Sequence, residues 1–144
     1  MSFNNNIRIL TKNDYTNYYP LINSFRHTEF TEEEFQQYIV NLPSNMEIWV
    51  IQEDNRLVAT GTIIYEPKLI FNRVTYAHVE DICVLESERG KGYGKKIVDH
   101  LFQTAQNNKC YKITLVCAEG TVPFYEKCGL EKRGVQCSQL LFKL

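Results

Sequence analysis

Hydrophobic residues change their spacing several times along the first third of the chain, and each change indicates a new element. The run 7–10 predicts a first strand. Residues 11–25 have a helical pattern with Thr11 as a candidate cap and Pro20 as a disturbance. Residues 31–42 repeat apolar positions at helical spacing behind a capping-box pair, Thr31 and Glu34, and Pro43 fits a stop.

Further along, the period shortens to that of strands. Segments 47–52 and 56–66 are rich in β-branched and aromatic residues and predict a hairpin, and 74–85 predicts a long third strand. An amphipathic helix, a strand at 110–117, a short helix ended by Gly129 and a last strand at 134–144 follow. This order predicts an α/β (α+β) fold around a mixed sheet, as one domain spanning 1–144.

Composition narrows the possible functions. Charged residues are 23% of the chain and the formal net charge is −1, which argues against a dedicated nucleic-acid binder but leaves a local basic patch possible. The five cysteines are odd in number and form no CxxC pair, so we expect reduced thiols and neither a disulfide framework nor a metal site. The start "MSFNNNIRIL" lacks an export-signal pattern, and no apolar run approaches the roughly 18 residues of a membrane helix. We therefore expect a cytoplasmic protein.

A glycine-rich stretch, "ESERGKGYGKKIVDHLF" (86–102), joins the third strand to the amphipathic helix. Backbone N–H groups at such a junction bind phosphates, helped by the helix dipole. The spacing fails both the P-loop and the dinucleotide fingerprint, and instead gives Arg-x-x-Gly-x-Gly. The alternatives at this point are a pyrophosphate site, an RNA-binding surface and a solvated turn.

Two further segments carry groups suited to proton transfer. Glu80 and Asp81 interrupt the apolar strand just before the glycines, and one of them should face a buried layer unless the strand is bulged. Such a carboxylate is either half of a structural ion pair or a base for an amine. Tyr125, on the short helix, is either a core residue or a proton donor to a departing thiolate.

With these residues in place, the chain resembles the glucosamine-6-phosphate N-acetyltransferases, a family within the GNAT superfamily. "HVEDICV" (78–84), "RGKGYGKKIVDHL" (89–101), "CYKITLVC" (110–117) and "VPFYEKCGL" (122–130) match in order and spacing, and "PKLIF" (67–71) matches a Lys-Phe-Ile segment. The resemblance runs from about 57 to 131. It implies a sheet splayed open between its middle strands, with acetyl-CoA in the gap and no metal.

The resemblance also implies roles for individual residues. Glu80 would act as the base, Tyr125 as the acid, and the Ile82 N–H would polarise the thioester carbonyl. Acetyl-CoA would contact Ile82, Cys83, Val84, Arg89, Gly90, Lys91, Gly92, Tyr93, Gly94, Lys95, Thr121 and Tyr125. The sugar phosphate would contact Lys68, Leu69, Ile70, Phe71, Glu80, Asp81, Tyr111 and Lys112. Where the family has a threonine that faces the substrate, the register gives Phe25 or Arg26, and Arg26 could take over phosphate binding. The family forms homodimers with shared sites, so Tyr111 and Lys112 would serve the partner's sugar. The resemblance implies no role for nucleic acid or membrane.

Several positions depart from the family pattern. Val116 replaces an acidic residue, Thr121 an asparagine and Phe71 a histidine, while Leu140 stands near where the family has an arginine that reaches the partner's site. These changes leave acetyl-CoA binding intact and concern the sugar site. They keep open a second function, an acetyltransferase that acts on another small amine or a protein N-terminus. A third alternative is a non-enzymatic RNA-binding module that uses the loop cations with Tyr93.

Overall fold

A computed structural model describes residues 6–144 of the chain. Its five strands are β1 (Ile7–Ile9), β2 (Met46–Glu53), β3 (Arg56–Pro67), β4 (Thr75–Val84) and β5 (Lys112–Thr114). Its helices are α1 (Tyr15–Asn23), α2 (Glu32–Val40), the single turn α3 (Ile70–Arg73), α4 (Tyr93–Asn107) and α5 (Val122–Lys127). Residues 1–5, half of the segment used to predict the lack of an export signal, lie outside the described range.

The strands form one mixed sheet in the order β1-β2-β3-β4-β5. The first four are antiparallel neighbours, and β5 pairs parallel to β4 after the crossover through α4. This arrangement confirms the predicted fold class. Among residues 6–144, no helix is both long enough and apolar enough to cross a membrane.

Alternation along the strands builds a hydrophobic core on each face of the sheet. On β2, Ile48 and Val50 pack on the side of α1 and α2, whereas Ile51 packs on the side of α4. The predicted apolar face of α4 is confirmed, with Ile97, Val98, Leu101 and Ala105 buried. The sheet is thus a layer between two helical layers, which fixes β4 and α4 relative to each other.

The helix starts illustrate how local sequence sets the elements. Thr31 and Glu34 form the predicted capping box, in which the Glu34 N–H donates to the Thr31 hydroxyl and the Thr31 N–H donates to the Glu34 carboxylate. Helix α1 begins later than predicted, because Asp14 folds back to accept hydrogen bonds from the Thr11 N–H and hydroxyl. Pro20 lies inside α1 without ending it.

The predicted last strand, 134–144, is wrong. Residues 131–144 form no helix or strand, and the side chains of Val135, Leu140, Leu141, Phe142 and Leu144 are exposed. A strand requires a neighbour to hydrogen-bond with, and β5 is only three residues long where 110–117 was expected. A β-like composition alone therefore does not produce a strand here.

Candidate active site

The paired carboxylates lie at a bulge in β4. Thr62 pairs with Glu80 and Thr60 pairs with Cys83, so Gly61 alone stands opposite both Asp81 and Ile82. Asp81 takes a positive φ of 52°, and the side chains of both Glu80 and Asp81 are exposed. In a regular strand one of the two carboxylates would face a buried layer. The extra residue of the bulge lets both face solvent instead.

Gly61 makes room for this bulge. A Cβ at position 61 would lie 2.7 Å from Ile82 Cδ1 and 2.8 Å from Leu101 Cδ1, closer than any ordinary contact. The Ile82 side chain therefore packs over the glycine, in the core between the sheet and α4. The backbone at Asp81 and Ile82 can take this position because residue 61 is a glycine and has no side chain.

Strands β4 and β5 part at the level of this bulge. Their paired residues run only from Tyr76 to His78 on β4 and from Lys112 to Thr114 on β5, although β4 continues to Val84. The edge of β4 turned away from β3 therefore has no strand beside it from residue 79 onward within the part of the chain that the structure describes. An extended ligand could hydrogen-bond to that edge as a strand does.

The glycine stretch forms a loop that leads into α4. Gly90 and Gly92 have φ values of 80° and 88°, which side chains with a Cβ rarely adopt. Gly92 is the N-cap of α4, so the N–H groups of the helix's first turn have no partner within the helix. These N–H groups and the positive end of the helix dipole have the arrangement that favours an anion, so anion binding at this loop stays a prediction.

The cations around this loop already have partners. Arg89 donates to the carbonyls of Val84 (3.3 Å) and Ser24 (2.8 Å), and Lys91 pairs with Glu88 at 2.8 Å. On α4, Lys95 pairs with Asp99 at 2.5 Å and Lys96 donates to the Asn6 side chain at 2.7 Å. An anion in the loop would therefore meet mainly backbone N–H groups.

Helix α5 packs beside the start of α4 and brings Tyr125 to this region. Phe124 lies against Gly94, and the Tyr125 ring packs on the cluster that contains Ile97 and Val98. Burial raises the pKa of Tyr125, so its phenol is protonated at neutral pH, as a proton donor requires. Thr121 is the N-cap of α5, and its hydroxyl donates to the Ala118 carbonyl at 2.8 Å.

Two of the predicted sugar-phosphate cations meet around one tyrosine. Lys68 Nζ lies 5.1 Å from the centre of the Tyr76 ring, and Lys112 Nζ lies 4.4 Å from it. Lys68 also pairs with the Glu66 carboxylate, whose Oε1 lies 3.3 Å from His78 Nε2. Lys68, just after β3, and Lys112, at the start of β5, thus lie together within one chain around Tyr76 of β4, the strand that also carries Glu80.

An exposed aromatic surface borders these cations. The Phe71 ring stacks on Tyr111, with centroids 5.5 Å apart, and Tyr111 stacks on Tyr76 at 6.1 Å. Leu69 and Ile70 of the same segment are exposed. Phe71, Asn72 and Arg73 all have positive φ, of 50°, 61° and 66°, which is a rare and strained arrangement for three consecutive residues other than glycine.

The side chains of three other predicted residues, Cys83, Val84 and Arg26, make contacts within the fold. The buried Cys83 thiol donates to the Leu21 carbonyl at 3.2 Å, and burial raises its pKa to about 11, so its side chain is unreactive. Val84 is half-buried, which leaves the backbone as the part of both residues that a ligand could reach. The Arg26 guanidinium lies 5.5 Å from the Phe25 ring, within its own segment.

The structure adds residues that the sequence pattern does not single out. Glu88 looks like one of two solvated acids in "ESERG", yet it is buried and bonded to Arg56 as well as Lys91. Tyr76 and Glu66 stand in β-strand patterns that predict only a half-buried face. The Glu88–Arg56 contact joins positions far apart in the chain, as do the contacts of Tyr76 with Lys112 and Tyr111, so only the folded arrangement brings these residues together.

Comparisons with known proteins identify a family and several relatives. The family described as "Acetyltransferase (GNAT) family" matches residues 10–130. The glucosamine 6-phosphate N-acetyltransferase of Candida albicans is 40% identical over 112 residues, 75% of each chain. Glucosamine 6-phosphate N-acetyltransferase 1 of Dictyostelium discoideum is 33% identical over 126 residues, 84% of this chain and 80% of the relative. The crystal structure of the Arabidopsis thaliana glucosamine-6-phosphate N-acetyltransferase has a TM-score of 0.89 and 32% identity, covering 94% of this chain and 97% of that one.

Proposed function

Since the chain belongs to the GNAT family of acetyltransferases, we propose that it transfers the acetyl group of acetyl-CoA to the amine of glucosamine 6-phosphate. The products are N-acetylglucosamine 6-phosphate and coenzyme A. The observation that carries this proposal is the bulge of β4, which exposes Glu80 and Asp81 at the point where β4 and β5 part. A base and a second carboxylate thus stand beside an edge that an extended thioester can follow.

The coenzyme is held mainly by backbone groups in this proposal. The free edge of β4 at Ile82, Cys83 and Val84 hydrogen-bonds the pantetheine arm, and the loop from Arg89 to Lys95 binds the diphosphate. The unpaired N–H groups of the first turn of α4 and the positive φ values of Gly90 and Gly92 support this fit. Thr121 and Tyr125 border the coenzyme from the side of α5.

The reaction needs no covalent intermediate with the enzyme. Glu80 takes a proton from the sugar ammonium, directly or through a water, and the amine then attacks the acetyl carbon. The N–H of Ile82 donates to the carbonyl oxygen as negative charge develops on it. The C–S bond breaks as the amide forms, and Tyr125 gives its phenolic proton to the departing thiolate. The second proton lost by the nitrogen restores the Tyr125 phenol through water, and Glu80 releases its proton to the solvent. The raised pKa of Tyr125 keeps that proton in place until it is needed.

The sugar phosphate binds at the cations around Tyr76. Lys68 and Lys112 flank the Tyr76 ring, which lies on the same face of β4 as Glu80, four residues away. Phe71 and Tyr111, stacked beside it, border the sugar, and Asp81 accepts hydrogen bonds from it. Arg26 and the exposed Leu69 and Ile70 complete the proposed contacts.

We further propose a homodimer with shared sites. The apolar side chains from Leu140 to Phe142 and at Leu144 are exposed, and among residues 6–144 the strand β5 has a neighbour only at β4. A second copy that covers both features would bury them and would bring residues of its own beside Tyr111 and Lys112 at the edge of this site. The same proposal places the reaction in the cytoplasm, on the route to UDP-N-acetylglucosamine.

Thiol release from acetyl-CoA tests the proposed function. We expect release that depends on glucosamine 6-phosphate, and we expect Glu80→Gln to lower kcat by about 10²–10⁴-fold with little change in acetyl-CoA binding. Equal losses of turnover and coenzyme binding would contradict a role for Glu80 as base. No release with this sugar across a wide concentration range would contradict the substrate.

One observation favours a second candidate, an acetyltransferase for another amine. Leu140, where the family places an arginine, is exposed and apolar, and Val116, where the family places an acid, is exposed as well. A panel of polyamines, peptide N-termini and unphosphorylated amino sugars in the same assay separates the two candidates. Preference for an unphosphorylated amine would favour the second. The family match already favours an enzyme over an RNA-binding module.

A further inference from the structure

Glu88 is a buried carboxylate at the base of the glycine loop. It is 7% exposed, in the short 3₁₀ turn Glu86–Glu88 that follows β4. One of its oxygens accepts a hydrogen bond from Arg56 at 2.7 Å, and the other accepts one from Lys91 at 2.8 Å. Arg56 begins β3 at the hairpin, so a single side chain connects the hairpin, the turn and the loop.

The loop has little packing of its own to fix its shape. A Cβ built at Gly90 or at Gly92 would meet no atom within 4 Å, so this backbone lies in open space. The conformation is instead fixed by side chains that anchor the loop to the fold. Arg89 anchors its start to the carbonyls of Val84 and Ser24, and Glu88 anchors its middle through Lys91. Backbone N–H groups bind a diphosphate well only when they are held in place beforehand.

We propose that Glu88 is a positioning residue for coenzyme binding: by holding Lys91 against Arg56, it orders the loop whose N–H groups take the diphosphate. Glu88 does not touch the coenzyme and acts through the loop. The hydrogen bond from Lys91, and then that from Arg56, lower the pKa of Glu88, so the carboxylate is charged at neutral pH. The inference rests on the proposed function insofar as the loop's ligand is the diphosphate of acetyl-CoA.

Electrostatics alone predicts the opposite effect of removing this charge. Glu88→Gln makes the region one unit more positive, which by itself would strengthen the binding of an anion. Loss of the anchor would weaken binding instead, because the loop must then be ordered by the ligand. The sign of the change in affinity therefore distinguishes a positioning role from a purely electrostatic one.

The experiment measures coenzyme A binding by titration calorimetry, without any sugar. We expect about tenfold weaker binding for Glu88→Gln. Glu88→Asp keeps the charge but is too short to reach both Arg56 and Lys91, and we expect it to weaken binding as well. Glu86→Gln removes the same charge two residues away from an exposed side chain that makes no ion pair in residues 6–144, and it serves as the matched control with unchanged or slightly tighter binding.

Kinetics gives a second readout that a general loss of structure would not produce. We expect KM for acetyl-CoA to rise about tenfold in Glu88→Gln, with kcat and KM for the amine substrate within about twofold of the unchanged protein. Equal or tighter coenzyme binding by Glu88→Gln or by Glu88→Asp, or an equal loss in Glu86→Gln, would overturn the inference alone. Absence of coenzyme A binding by the unchanged protein would overturn the proposed function together with it.

Discussion

The bulge of β4 can be tested by adding one methyl group beneath it. Gly61→Ala places a Cβ 2.7 Å from Ile82 Cδ1 and 2.8 Å from Leu101 Cδ1. Carbon atoms pack well at about 3.5–4.0 Å, so each methyl group would have to retreat by about 1 Å. Leu101 is fully buried between the sheet and α4, so its retreat would displace other core side chains, whereas Ile82 is only partly buried. The strain therefore falls on the Ile82 side chain and on the bulge that carries Glu80 and Asp81.

Overpacking of this kind lowers the free energy of unfolding by about 1–3 kcal/mol. Near this chain length, each kcal/mol corresponds to about 2–4 °C in Tm, so we expect Gly61→Ala to lower Tm by about 2–12 °C. At a temperature where the variant is still folded, kcat should nevertheless fall, because the backbone that bears the proposed base would move with Ile82. Thermal unfolding followed by circular dichroism, together with kcat at a temperature where both proteins are folded, measures the two effects.

Two matched variants isolate the proposed collision. Gly120→Ala adds the same methyl group where nothing lies within 4 Å, and we expect it to change the free energy of unfolding by less than about 1 kcal/mol. Ile82→Val deletes the Cδ1 atom that the new Cβ would meet. We expect the double variant Gly61→Ala/Ile82→Val to be more stable than the sum of the single effects predicts. Equal stability of the two Gly→Ala variants, or strict additivity in the double variant, would refute this reasoning.

Three further changes probe other parts of the molecule. Asp14→Asn replaces a buried carboxylate that accepts two hydrogen bonds from Arg8 at 2.8 Å. We expect denaturant unfolding to show that the free energy of unfolding falls by about 1–3 kcal/mol. Asp99→Asn, on the surface of α4, is the control and should change it little. Burial lowers the pKa of His100 in the folded protein. As the pH falls below about 6.5, the histidine is therefore protonated more readily in the unfolded chain than in the folded one, and the free energy of unfolding decreases. His100→Gln should flatten that decline between pH 8 and 5, whereas His27→Gln, on an exposed side chain, should not. Tyr125→Phe keeps the packed ring but removes the proton donor, so kcat should fall about 10²-fold with coenzyme affinity unchanged, and an unchanged kcat would contradict the role.

The parts of the fold that could be predicted from sequence are those fixed by local interactions. The capping box of Thr31 and Glu34, the hairpin around its turn and the apolar face of α4 each depend on residues close together in the chain. The glycine loop belongs to this group as well, because its position between a strand and a helix indicates anion binding whatever the rest of the fold.

The features that sequence could not give depend on distant partners. Composition alone predicted a strand at 134–144, but pairing requires a neighbour, and these residues have none within 6–144. The exposure of both Glu80 and Asp81 follows from Gly61 on the facing strand. Glu88 is buried through Arg56, more than 30 residues earlier in the chain, so the motif around it gives no sign of its role.

The pairing of the loop cations also bears on how fast the coenzyme arrives. Between residues 86 and 99 the chain has four cations and three carboxylates, a net charge of +1. Long-range attraction depends on this net charge more than on the number of cations, so the loop attracts distant polyanions only weakly. We expect an association rate constant in the range of unsteered docking, about 10⁵–10⁷ M⁻¹s⁻¹, with a shallow dependence on ionic strength. We therefore expect the loop to select its ligand by shape after contact and nucleic acids in the surrounding solution to compete for it poorly.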